Sequence, residues 1–185
     1  MGLIDALSGK TYKRNILINK NLDILLTKSK NEDDKVYLWL NSIIVPIGIF
    51  VETLLIDDKS DQTELIRNNT SKIDAEKVLT LMKFLILFTL YLDKKGEYAK
   101  EYGITKKSLE KAVLEFTDAN EEIVKMYLDL SKDRTDFNLI ADGFYNNILT
   151  ILLGIKREGF MDKLTESLYI LDLFSFTVFG ESKEK

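Results

Sequence analysis

A single proline, Pro46, interrupts 185 residues, and most of the nine glycines fall where apolar-periodic stretches end. Proline breaks a helix interior and glycine closes a helix, so this punctuation reads as a succession of helices. The expected fold is all-α, a single-domain bundle of about seven helices over residues 1–185. At 45% hydrophobic and 30% charged residues, the chain has the composition of a soluble globular protein long enough to bury its own core.

The spacing predicts an amphipathic helix over residues 12–28, with Tyr12, Ile16, Leu22, Leu25 and Leu26 inward. Residues 36–56 are ambiguous, because their β-branched and aromatic side chains also suit strands; an α+β fold with strands in residues 36–56 is the alternative. A helix is preferred, since Asn41, Gly48 and Glu52 recur seven and four residues apart on one stripe. The remaining circumference is apolar, so this helix is expected to be buried on nearly every side. A short turn of helix over 61–67 precedes a long helix over 72–95, whose residues 84–92 are apolar almost all round and belong at the centre. Shorter helices follow at 97–102, 106–116 and 119–130, then two long ones at 137–158 and 160–179. The second, the long middle and the last two helices are expected to form the core.

The chain contains neither histidine nor cysteine. That removes the Ser-His and Cys-His nucleophiles, the usual zinc ligand sets and any disulfide framework, and no cofactor is expected. A net charge of -4 does not favour nucleic acid or an anionic membrane as a partner. The first ten residues are too short in their apolar part for a secretory signal, so a cytoplasmic location is expected. Residues 36–56 reach spanning length but carry Asn41, Pro46 and Glu52, so no membrane span is expected.

Three constellations carry candidate chemistry. Over residues 97–114, Ala99 stands where two helices would approach closely, Gly103 at a tight turn four residues later, Ile104 beside it and Leu109 inward on the second helix. This segment resembles the helix-turn-helix motif of DNA-binding proteins. The resemblance implies a recognition helix over residues 106–114 with Thr105, Lys106, Lys107 and Lys111 outward, facing phosphates and base edges. It departs from the motif in the small Ala112, the acidic Glu110 and the lack of arginine, the commonest reader of guanine.

The second is acidic: Glu115, Asp118, Glu122 and Asp129 could share a side. Glu115-Phe116-Thr117-Asp118 resembles one half of the paired carboxylate motif of all-α nucleotide pyrophosphohydrolases, which bind magnesium. No convincing partner motif follows, so capping groups and a solvated face are preferred. The third is a pair of polar stripes within apolar helices, Asp142, Asn146 and Thr150 on one and Asn41 with Glu52 on the other. Buried together they would need one another or a ligand; a solvent side or a satisfied contact is preferred.

The last helix carries Tyr169, Phe174, Phe176 and Phe179, so a homodimer through this C-terminal helix is a candidate beside burial within the monomer. The expected function is a non-enzymatic one, an adaptor, inhibitor or regulator binding another protein. The alternatives are helix-turn-helix DNA-binding regulation, with DNA as partner, and third a carboxylate-metal enzyme.

Overall fold

Asp74 and Thr105 each stop the chain from running straight through. Asp74 accepts the Lys77 amide at 3.0 Å and Thr105 accepts the Ser108 amide at 3.2 Å, so each restarts a helix by supplying an acceptor to its first turn. A computed structural model describes residues 3–29, 34–93, 96–118, 137–157 and 163–180. They form α1 (Leu3–Ser29), α2 (Asp34–Glu52), α3 (Glu64–Asn69), α4 (Ala75–Leu92), α5 (Glu97–Glu101), α6 (Lys106–Thr117), α7 (Phe137–Leu153) and α8 (Leu164–Phe179). Among the described residues there is no strand, and the architecture is an all-α helical bundle.

The strand alternative for residues 36–56 is therefore corrected. The stretch is α2 followed by a π-helical turn, Thr53–Asp57, because burial of its apolar side chains outweighs their β propensity. Pro46 sits inside α2 and leaves the helix without one of its own amide donors. α1 begins at Leu3 rather than at residue 12, and the short turn over 61–67 is a 3₁₀ turn, Asp61–Thr63, running into α3. The helix expected over 119–130 lies outside the described residues.

Side-chain contacts fix the directions of the helices. Arg14 donates to the Leu55 carbonyl and Leu22 lies against Gly48, so α1 and α2 run antiparallel. Asn21 donates to the Ala75 carbonyl, while Lys28 and Lys83 converge on Asp118, so α1 and α4 run side by side in one direction. Phe50 meets Phe174, and Asp58 meets Tyr169, which sets α8 antiparallel to α2.

At the centre lie Phe50, Phe84, Phe88, Phe144 and Phe174, from α2, α4, α7 and α8, the helices expected to form the core. Phe88 stacks on Phe144 at 4.3 Å between ring centroids and also meets Phe84, Tyr91 and Phe174. Offset and tilted rings of this kind add to the energy of area burial. Residues 84–92 are buried or half-buried throughout, as their pattern requires.

α2 departs from expectation. It is not buried on nearly every side: Leu38, Val45 and Ile49 are 56%, 49% and 52% exposed. Nor is its Asn41, Gly48, Glu52 stripe simply a solvent face. Gly48 is buried, and a Cβ there would lie 2.8 Å from Leu22 Cδ1, so α1 crosses α2 closely at this glycine. By length and composition, Asp34–Asp57 could cross a membrane, and 56% of its most apolar window is buried inside the protein.

Candidate functional site

The corner between α5 and α6 comes first, because its chemistry depends on local geometry. Ala99 and Leu109 are fully buried, Ile104 is half-buried, and Gly103 adopts the left-handed φ of 66°. The turn closes through the Gly103 amide on the Lys100 carbonyl at 2.9 Å and the Ile104 amide on the Ala99 carbonyl at 3.3 Å. These four residues occupy the places the helix-turn-helix resemblance gives them.

The side chains expected to face DNA behave differently. Thr105 is exposed but engaged as the cap of α6. Lys106 is half-buried and turned back, its Nζ donating to the Asp93 carbonyl at 2.8 Å. The Asp93 carbonyl, just past the end of α4, also accepts the Gly96 amide at 2.9 Å, so the ammonium is its second donor. Lys111 is exposed with Nζ 3.9 Å from Glu115 Oε1, and Lys107 is exposed. The exposed Glu97, Glu101 and Glu115 share this corner, so its surface charge is mixed.

Of the acidic constellation, Glu115 and Asp118 lie among the described residues. Asp118 ends α6 in the left-handed region, φ 51°. Its carboxylate accepts Lys28 at 2.9 Å and Lys83 at 3.4 Å, and those hydrogen bonds hold it below the usual carboxylate range. Glu122 and Asp129 lie outside the described residues. Among the described residues no group of three His, Cys, Asp or Glu could hold a metal ion.

The stripe on α7 is built around a residue the sequence reading passed over. Arg157, 5% exposed in its side chain, reaches back from the segment after α7 to pair with Asp142 and lies 3.5 Å from Glu166 Oε2 on α8. Its second terminal nitrogen also donates to Ser167 Oγ at 2.8 Å, and its guanidinium sits 5.0 Å from the centre of the Tyr145 ring. Asn146 donates to Asp142 at 3.1 Å, and Thr150, exposed, donates to the Asn146 carbonyl at 2.8 Å. Burial, then the Glu166 charge, pushes the Tyr145 phenol up to about 12, against a lowering by Arg157. Both terminal nitrogens of the guanidinium face protein acceptors, so the cluster is a staple between α7 and α8. The signal for it was an acid in an apolar helix, which needs a cation; one of only four arginines follows that helix.

The second stripe is separate. Asn41 donates to its own helix at the Tyr37 carbonyl, 3.1 Å, and Glu52 is half-buried at the end of α2. No bond joins either to Asp142, Asn146 or Thr150 among the described residues. A smaller polar knot lies at the foot of α2, where Asp58 accepts the Ser60 amide at 2.7 Å and the Tyr169 hydroxyl at 2.8 Å.

No family model, curated protein or solved structure matches this chain.

What remains is the surface. On α8, Phe174 is fully buried, Tyr169 and Phe179 are half-buried, and Phe176 is 64% exposed, so one ring of the four points outward. On α2, three large aliphatic side chains stand out together: Leu38, Val45 and Ile49 follow one another by seven and four residues. That spacing places them on one face of the helix.

Proposed function

We propose that this chain is a non-enzymatic protein-interaction protein, an adaptor or regulator that binds another polypeptide along the outer face of α2. The exposed row of Leu38, Val45 and Ile49 carries the reading. Scattered exposed aliphatics are ordinary, but three in line on one helix form a stripe that a partner helix covers in a helix-in-groove contact.

DNA binding through Lys106, Lys107 and Lys111 is the second reading, favoured by the turn at Gly103. It has less support. Lys106 is engaged at the end of α4, and exposed acids surround the lysines, which weakens the field that phosphate binding needs.

Affinity capture from a native extract with the wild-type chain and with Val45→Glu tests the proposal. A protein retained by wild type and lost with Val45→Glu, but kept with Lys107→Glu, is the expected result. Identical captures, or a salt-sensitive DNA complex lost with Lys107→Glu, would overturn it.

A further inference from the structure

The outer face of α2 has more order than its three exposed aliphatics. From Lys35 the outward positions follow at alternating steps of three and four: Lys35, Leu38, Ser42, Val45, Ile49 and Glu52. Such a repeat is the seam along which one helix packs another, knobs into holes. Lys35 is exposed at its start, and Ser42 and Glu52 are half-buried beside the exposed aliphatics.

The seam is complementary to itself in one orientation. Laid antiparallel across a two-fold axis between Ser42 and Val45, it sets Lys35 against Glu52, Leu38 against Ile49 and Ser42 against Val45, each twice. Cation meets anion at both ends, large aliphatics meet inside them, and the small serine admits the valine at the axis. Laid parallel, the same seam would oppose Lys35 to Lys35 and Glu52 to Glu52. Exposed ion pairs contribute little affinity, but like charges at such positions disfavour an orientation. An isologous contact requires this kind of self-matching.

We infer that the partner of the α2 face is a second copy of this chain, joined as an antiparallel two-fold dimer in which Lys35 meets Glu52, Leu38 meets Ile49 and Ser42 meets Val45. This rests on reading that face as an interaction surface. Lys35 keeps its contact with the Gly103 carbonyl, 3.5 Å away, since an ammonium has three donors.

The absence of cysteine makes the register directly measurable on the full chain. Sedimentation at high micromolar concentration should give twice 21.3 kDa for wild type. Leu38→Glu/Ile49→Glu should give 21.3 kDa with an unchanged helical spectrum, because both positions are exposed in the monomer. Lys35→Glu should weaken the dimer roughly tenfold, and Lys35→Glu/Glu52→Lys should restore it. Mixed Leu38→Cys and Ile49→Cys chains should form a disulfide-linked pair on oxidation, and Leu38→Cys alone should not. Cross-linking of Leu38→Cys to itself would overturn the antiparallel register. A wild-type monomer would overturn the dimer; if Val45→Glu still abolished capture of a different protein, the interaction reading would stand without it.

Discussion

Arg157 pairs with Asp142 across the segment that follows α7, and the two groups are 5% and 18% exposed in their side chains. A guanidinium taken this far out of water is held by its partners. Removing it leaves Asp142 facing a protein interior.

Arg157→Ala is therefore expected to destabilise the fold by about 3 kcal/mol in urea unfolding, the lower end of the cost of breaking a buried pair, because Asp142 keeps some exposure. Asp142→Asn in the same background should recover part of the loss, since the stranded charge is gone. A loss below about 1 kcal/mol for Arg157→Ala would show that the pair is solvated.

Asp58 gives the protein an acid-sensitive contact. Burial raises its carboxyl, but hydrogen bonds from Ser60, Tyr169 and Thr63 outweigh that and hold it below 3.8. A depressed folded value means the contribution is complete above the unfolded value near 3.8 and is lost as pH falls through the lower folded value. The stability difference between wild type and Asp58→Asn should thus be constant from neutral pH to about 4.5 and shrink below about 3.5. A difference that grew on acidification would reverse the assignment.

Phe88→Ala should cost about 3 to 5 kcal/mol, because the ring is 5% exposed and meets four aromatic neighbours. Urea denaturation reads this directly. A cost under about 1 kcal/mol would place the second half of α4 outside the core.

Lys106 and Lys107 should separate under charge reversal. Lys106→Glu loses the bond to the Asp93 carbonyl and is expected to cost about 1 kcal/mol, while Lys107→Glu stays within about 0.5 kcal/mol. Equal effects would mean that the Lys106 contact contributes nothing to stability.

Fold class was legible because it is written in local periodicity. One proline, end-placed glycines and an apolar half of α4 suffice to say helix and to say which segment is central. What the sequence hid was pairing over distance. Asp142 signalled the need for a cation, but only the return of the chain after Gly154 brings Arg157 to it. α2 misled in a different way: its apolar circumference reads as burial, and only the arrangement of α1, α4 and α8 around it leaves Leu38, Val45 and Ile49 uncovered. Lys106 looked like its neighbours Lys107 and Lys111 until the end of α4 was seen to hold it.

The most direct test of the α2 face as the interaction surface is site-specific photo-cross-linking, with the reactive group placed at Val45 in one variant and at Lys107 in another. Both positions are exposed, so both groups reach whatever lies beside them. The expected result is a polypeptide adduct from position 45, lost when Leu38→Glu is added, and no nucleic-acid adduct from position 107. Silence at position 45 with nucleic acid attached at position 107 would contradict it.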